Sequence, residues 1–358
     1  MLTFVIILTF IFVSTTILPI SRCSHWLVRG FDFPRVQFII VGCMLLISQL
    51  LLILNSTYFF FICFTLTILS VLWQLWWVLP YTRFWQKEVK TAKEYVHEDS
   101  LTIINYNVLM TNRNAKALIE IVESYKPDVL VTLESNKWWE DSLSCLTKEM
   151  PYTINCPLDN LYGMHVFSKL PLTDHSVKYL VENKIPSIHT SITLRNGIKV
   201  RAHFLHPAPP SPTENERSSE RDAELIMVAQ SVSKTDQPVV VSGDLNDVAW
   251  SSTTRLFRKI SGLLDPRIGR GMYNTFHTSY FFARWPLDHL FHSPHFTLSN
   301  IKRLPAIGSD HFPLLTSLSY NPNYKQKGIS AEKDDIKRTK RITAAENVSC
   351  HDVPTPCD

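Results

Sequence analysis

Only four charged side chains, Arg22, Arg29, Asp32 and Arg35, occur in the first 80 residues, whereas the following 278 hold the remaining 64. A segment this apolar cannot supply the surface of a soluble domain. Three runs within it carry no side-chain charge, at about residues 1–20, 36–55 and 57–80. At about 1.5 Å per residue, each is long enough to cross a hydrocarbon layer of about 30 Å. Trp73, Trp76, Trp77 and Tyr81 gather at the end of the third run, where an interfacial aromatic belt is expected. A wholly soluble chain is excluded. So is a polytopic transporter, because the polar part is most of the sequence. Disorder throughout is excluded too, since low hydrophobicity with high net charge is absent.

The first run lacks a basic flank and exceeds the usual apolar core of a signal peptide, so a retained span is favoured over a cleaved leader. Arg22, Arg29 and Arg35 lie in the first connector, and none lies in the second, around Asn55 and Ser56. Arg83, Lys87, Lys90 and Lys93 follow the third run. The positive-inside rule then puts the first connector and everything after residue 80 in the cytoplasm, with the N-terminus outside. Cleavage of the first run would leave the same flanks facing inward.

Residues 81–99 read as a charged linker, helical next to the membrane, and 100–320 as one domain with a large core. Residues 321–358 hold seven Lys/Arg, six Asp/Glu and few large apolar side chains, so a disordered tail is expected. The seven cysteines show no CxxC spacing, which points to packed or free thiols. Asn55-Ser56-Thr57 and Asn347-Val348-Ser349 match the glycosylation pattern only as short strings that arise by chance.

Inside the domain, strand and helix signals interleave. Leu101–Val108 is β-branched and apolar. Ala115, Leu118, Ile119 and Val122 then recur at helical spacing up to Pro127, and Asp128–Glu134 reads as a second buried strand, giving a βαβ crossover. A strand is expected over Gly163–Phe167. Ile188–Leu194 and Ile198–Leu205 flank Asn196-Gly197, a hairpin signal. Glu214–Val232 reads as a helix, Pro238–Ser242 as a core strand and Thr253–Ile260 as a helix. Further strands are expected over 287–291, 296–301 and 314–319.

Polar clusters stand where these strands end: Asn105-Tyr106-Asn107, Glu134-Ser135, His206, Gly243-Asp244-Leu245-Asn246, Asp288-His289 and Ser309-Asp310-His311. Loops at strand ends are where reactive groups concentrate. No GxSxG, GxxxxGK[ST] or GxGxxG occurs, which leaves a serine-nucleophile elbow and those nucleotide cradles unsupported. The set is hard oxygen donors plus histidine. Such carboxylate and amide oxygens suit Mg²⁺ or Mn²⁺, and histidine can move a proton or bind a phosphate oxygen. Metal-assisted phosphoester hydrolysis is the chemistry that uses this kit.

Tyr106-Asn107, Pro127-Asp-Val-Leu-Val-Thr-Leu-Glu134, Gly243-Asp-Leu-Asn246, Leu287-Asp288-His289-Leu290 and Gly308-Ser-Asp-His311 fall in an order that resembles the endonuclease/exonuclease/phosphatase (DNase I-like) superfamily. Gly163-Met-His-Val-Phe-Ser168 and His206 resemble two further motifs. The resemblance covers about residues 100–320. It implies a four-layer α/β/β/α sandwich and a metal-dependent phosphoric ester hydrolase. It also implies roles: Glu134, assisted by Asn107 and with Asp310 beside it, as ligands of Mg²⁺; Asp244 to orient or deprotonate the attacking water; Asn246 and His206 to contact the phosphate; His311 as phosphate binder or acid/base, with Asp288 fixing its tautomer. The Leu205-His206-Pro-Ala-Pro-Pro210 stretch departs from the usual Thr-His-Leu and leaves His203 as a competitor. Its prolines resemble a bacterial membrane-anchored subgroup, which implies an inner-membrane location. Tyr162 is the candidate for an aromatic phosphate contact.

Several residues read as structural. His165, His175, His189, His277, His292 and His295 show no ligand spacing. Trp138 and Trp139 read as packing, and Arg221 with Glu224 as an i,i+3 ion pair. Residues 81–320 hold 26 Lys/Arg and 25 Asp/Glu, without the basic excess of a protein that follows a nucleic-acid backbone. A lipid or small-molecule phosphoester is therefore favoured. The alternatives are a membrane-tethered nuclease and a catalytically silent binding module on the same fold. Besides substrate and lipid bilayer, no protein partner is legible.

Overall fold

The computed structural model describes residues 2–52, 58–94, 96–324 and 326–355. Asn55, Ser56 and Thr57, the second connector and Cys357 lie outside the described residues.

The chain opens with α1 (Leu2–Ile17), the short α2 (Trp26–Gly30), α3 (Arg35–Leu52) and α4 (Tyr58–Val78). Three stretches, Thr3–Ser21, Arg35–Leu52 and Phe60–Tyr81, are long and apolar enough to cross a membrane. Two buried glutamines reach threonines on neighbouring helices. Gln49 Nε2 donates to Thr9 Oγ1 (2.8 Å) and Thr67 Oγ1 (3.1 Å), and Gln74 Nε2 donates to Thr16 Oγ1 (3.1 Å). Satisfying amides across helices is what an apolar surround demands.

Eleven strands follow among the described residues: β1 (Ser100–Asn107), β2 (Val129–Leu133), β3 (Tyr152–Cys156), β4 (Met164–Ser168), β5 (Leu172–Lys178), β6 (Ser187–Thr193), β7 (Lys199–Leu205), β8 (Val239–Asp244), β9 (Asp288–His292), β10 (Phe296–Arg303) and β11 (Leu314–Tyr320). Helices α5 (Ala115–Tyr125), α6 (Lys137–Ser142), α7 (Ser219–Val232), α8 (Ser252–Ser261) and α9 (Lys333–Ala345) intervene or follow. One sheet has the order β10-β11-β1-β2-β4-β3 and the other β5-β6-β7-β8-β9. Their inner faces share a core that includes Ile103, Val131, Val166, Ile192, Phe204 and Val240. The outer face of the first sheet packs on α5 and α6 through Leu118, Val122 and Trp139. The outer face of the second packs on α7 and α8 through Leu225, Val228 and Phe257. This is the expected four-layer α/β/β/α sandwich.

Each sheet contains one parallel pair, β1/β2 joined through α5 and β7/β8 joined through α7. Antiparallel neighbours bring two more chain ends to the same edge. Asp288, the first residue of β9, pairs with Asp244, the last of β8, while Leu314 of β11 pairs with Asn105 near the end of β1. Topology alone therefore gathers the strand-end clusters at one edge.

Several expectations are corrected. The helix expected over 214–232 begins at Ser219, because Ser211–Asn215 closes a separate turn and the acidic first turn follows Ser218. The helical linker is absent: the backbone of Lys90 and Ala92 instead hydrogen-bonds to Leu298 at the edge of β10. The tail expected to be disordered forms α9, which docks through Lys259 Nζ to Asp335 Oδ2 (2.7 Å) and Arg338 to the Ser252 carbonyl (3.2 Å). Strands β3 and β5 had no clear sequence signal, as β5 is mostly exposed and its charges break the apolar pattern. The Asn196-Gly197 turn forms, with Gly197 at φ 84° and its N–H on the Leu194 carbonyl (2.9 Å).

Candidate active site

The site is built where β1, β2, β7, β8 and β9 meet the loop before β11. Asn107 closes β1 and aims its amide between two carboxylates. Its Nδ2 donates to Glu134 Oε1 (2.7 Å) and Asp244 Oδ2 (3.2 Å), while its Oδ1 accepts the Leu109 N–H (3.1 Å). Glu134, just past β2, and Asn246, two residues past β8, occupy the left-handed region at φ 55° and 49°. Non-glycine residues rarely sit there, and such outliers collect at functional sites. Behind Glu134, Ser135 Oγ pairs with His165 Nδ1 (2.6 Å), whose Nε2 faces Glu140 (3.3 Å), so His165 braces the turn.

Gly243 lets β7 and β8 converge. A Cβ there would lie 1.8 Å from the Leu205 carbonyl oxygen, and its φ is 153°. The close approach sets His206 and Asp244 side by side at the strand ends.

His311 lies between two carboxylates. Its Nδ1–H donates to Asp288 Oδ2 (2.8 Å), and its Nε2 is 3.4 Å from Asp244 Oδ2. Asn105 Nδ2 holds the other Asp288 oxygen (2.9 Å), and the Asp288 N–H donates to Thr275 Oγ1 (3.1 Å). Ser309 Oγ donates to the Asn107 carbonyl (2.7 Å) and accepts the His311 N–H (3.0 Å), tying this loop to β1. The Phe276 ring packs 5.0 Å from the imidazole. Asp244, Asp288 and His311 thus form a buried cluster whose ligand atoms lie within 4.8 Å of one another.

Electrostatics separates these groups. Burial pushes the Glu134 carboxyl up to about 7, against the Asn107 amide and His311, and nearby Asp310 and Asp244 add to the rise. Burial also raises Asp288, opposed by His311. For Asp244 burial acts upward, but His311 and the Asn246 N–H prevail and hold it below the usual carboxylate range. Burial pulls His311 down, yet Asp244 and Asp288 overcome it and raise it to about 10. Burial lowers His206 to about 4, which keeps that ring neutral, and its Nδ1 has no hydrogen-bond partner among the described residues.

The structure brings Asn107, Glu134, Asp244, Asp288 and His311 together directly. His206 lies close enough to feel the charges of Asp244 and His311, and the Tyr162 ring lies 5.2 Å from its ring. Asn246 donates its backbone N–H to Asp244 Oδ1 (2.9 Å) and its Nδ2 to the Pro207 carbonyl (3.0 Å). Asp310 is half-buried beside Ser309 Oγ (3.2 Å). The competitor His203 faces the core instead, with its Nδ1 against His189 Nδ1 (2.5 Å). Arg221 does not form the expected pair with Glu224. Its Nη1 donates to the Asn246 carbonyl (2.6 Å), and its Nη2 donates to Asp222 Oδ1 (2.9 Å). Arg267 was also unforeseen: it clasps Asp265 and reaches the Asp288 carbonyl (3.3 Å). Neither arginine belongs to a short motif, so nothing local in the sequence marks them.

The donor set fits a divalent cation. Glu134 is a half-buried carboxylate with two further carboxylates raising it and no Lys or Arg contact among the described residues. Hard oxygen donors whose negative charge exceeds that of the one neighbouring cation, His311, are what Mg²⁺-type ions select.

The sequence profile of the endonuclease/exonuclease/phosphatase family matches residues 104–311. The chain belongs to this family. No curated protein matches the sequence. Among solved structures, the human Nocturnin catalytic domain with bound sulfate is similar over 67% of this chain and 98% of its own, at 16% identity and TM-score 0.52. A humanized D. rerio TDP2 is similar over 62% and 99%, at 18% and 0.50. An endonuclease/exonuclease/phosphatase from Beutenbergia cavernae is similar over 66% and 76%, at 14% and 0.51. These identities speak to fold alone. Family membership makes the chain a metal-dependent phosphoric ester hydrolase.

Proposed function

We propose that the chain is a membrane-anchored, Mg²⁺-dependent phosphoesterase that cleaves a phosphodiester or phosphomonoester of a lipid or small molecule by attack of water. The observation that carries this reading is the line Asp244–His311–Asp288 set directly against Asn107 and Glu134. Glu134, with Asn107 and Asp310, would hold the metal. Bound there, the metal would polarise a phosphoryl oxygen and offset charge on the leaving oxygen.

The remaining residues have complementary tasks. Asp244, with its Oδ1 fixed by the Asn246 N–H, orients the attacking water. Asp288 fixes the Nδ1–H tautomer of His311, so Nε2 is the atom offered to substrate for phosphate binding or proton movement. His206 and Asn246 contact the phosphate.

Anchoring is supported by the three apolar helices and by the way the first connector packs on the catalytic domain. Trp26 N–H donates to the Glu216 carbonyl (2.9 Å), and Trp250 Nε1 donates to the Asp32 carbonyl (2.8 Å). Connector and domain therefore share one side of the helices, which the positive-inside rule makes the cytoplasmic side. Confinement beside a bilayer and near-neutral charge favour a lipid or small phosphoester over nucleic acid.

The test is full-length protein assayed against lipid phosphoesters, soluble monoesters and diesters, and DNA. Hydrolysis that stops with chelator, returns with Mg²⁺ and is lost in Glu134→Ala is expected. No release from any substrate, with wild type and Glu134→Ala indistinguishable, would sink the proposal.

A further inference from the structure

A second cavity, of about 370 Å³, opens where α4 ends. Trp76, Trp77 and Pro80 from the end of that span and Trp85 just beyond it form one wall. Lys87, Arg255 and Lys327 supply charge, and none of the residues placed in the active site lines this cavity.

Its chemistry is one-sided. Glu88, the carboxylate of its lining, is already spent: Oε1 accepts from Arg258 Nη2 (2.5 Å) and Oε2 from the Asp265 N–H (2.8 Å). Among the described residues Lys87, Arg255 and Lys327 have no carboxylate partner. Trp77 Nε1 and Arg258 Nε, on two of the lining residues, are buried and have no acceptor among the described residues. Buried donors of this kind need acceptors. The walls are also fixed. The Arg255 guanidinium stacks 5.4 Å from the Trp77 ring, and Gly269 packs so tightly on the Lys87 backbone that a Cβ would lie 2.6 Å from it.

We infer that this cavity binds the phosphate of an anionic phospholipid. Three cations without carboxylate partners converge there, which selects an anion. The location selects a lipid. Trp76 (55% exposed), Phe84 (93%) and Trp85 (38%) form an exposed aromatic row where a span leaves the hydrocarbon, at the depth of head groups. Basic pockets beside span ends on the cytoplasmic side take lipid head groups. The inference rests on the anchoring proposed above but not on catalysis.

The experiment titrates detergent-solubilised full-length protein with phosphatidylglycerol, phosphatidylcholine or glycerol 3-phosphate and counts retained ligand by native mass spectrometry. One phosphatidylglycerol held at least tenfold more tightly than phosphatidylcholine is expected, with glycerol 3-phosphate not competing. Lys87→Gln with Lys327→Gln changes two exposed side chains and should weaken retention about fivefold per lost cation. Arg255→Gln should add to the loss. Equal retention of the two lipids, unchanged retention in the variants, or glycerol 3-phosphate binding as tightly as lipid would overturn the inference. Flotation with vesicles reports anchoring separately. A wild type that floats without lipid selectivity sinks only the pocket, and one that fails to float sinks both.

Discussion

Arg29 Nη2 lies 2.8 Å from Asp222 Oδ2, and the two residues are separated by 193 positions. Asp222 in turn holds Arg221, and Arg221 holds the Asn246 carbonyl beside Asp244. On the other side Arg29 faces Asp32, Asp32 pairs with Arg35, and Arg35 Nη1 donates to Gln74 Oε1 (2.9 Å) in α4. The apolar helices and the loop after β8 are thereby parts of one buried network.

Removing Arg29 leaves Asp222 one guanidinium short in a buried setting, a change worth about 3–5 kcal/mol when a buried pair is broken. Arg29→Ala should lower the melting temperature and kcat together, and Arg29→Lys should recover part of both. Wild-type turnover in Arg29→Ala would show that the network does not reach the site.

Acid should weaken the same network. Burial pushes Asp222 upward, but Arg29 and Arg221 prevail and hold it below the usual carboxylate range. A depressed carboxylate stabilises fully above its unfolded value, near 3.9, and that contribution disappears as pH falls through the folded one. Thermal melts of wild type should therefore steepen their decline below about pH 4, and Asp222→Asn should flatten it.

Glu224 has the opposite sign. Burial, with Glu182 adding to it, pushes its carboxyl up to about 8, and its Oε1 has no partner among the described residues. A raised carboxylate costs stability as pH climbs from its unfolded value through the folded one. Glu224→Gln should raise the melting temperature more at pH 8 than at pH 5. An equal change at both values would contradict the buried placement.

His311→Ala should cut turnover about a hundred- to ten-thousand-fold, the range for loss of a positioned proton-transfer or phosphate-binding group. Asp288→Asn keeps the shape but weakens control of the tautomer, so a smaller loss is expected. Circular dichroism should show the sandwich retained in both.

Gly243 and Gly262 make a matched pair. Gly243→Ala would place a methyl 1.8 Å from the Leu205 carbonyl, whereas a Cβ at Gly262 (φ 72°) meets nothing within 4 Å. The first should fail to accumulate as folded protein. The second should lose only about 1–2 kcal/mol from its left-handed backbone. Soluble-expression yield and thermal melts separate them.

Much of the candidate site was legible because its polar residues stand at strand ends. Apolar β-branched runs locate β1, β2 and β8, so Asn107, Glu134, Asp244 and Asn246 announce themselves as polar residues where those runs stop. Arg221 and Arg267 were not legible. Each is buried against a neighbouring aspartate, and its link to the site is a backbone carbonyl that no residue type marks. The tail misled for a related reason: α9 is held by Lys259 and the Ser252 carbonyl rather than by an apolar face of its own.

By itself the sequence determined the apolar helices, the sandwich's βαβ crossovers and the polar residues at the strand ends, because hydrophobic period and strand-end composition are local properties. Only the tertiary structure decided that the first connector docks on α7 and α8, that His206 rather than His203 faces the site, and that Asp288 reaches His311. Those outcomes depend on which distant buried charges and donors meet, and burial without a partner is too costly for them to be left to chance.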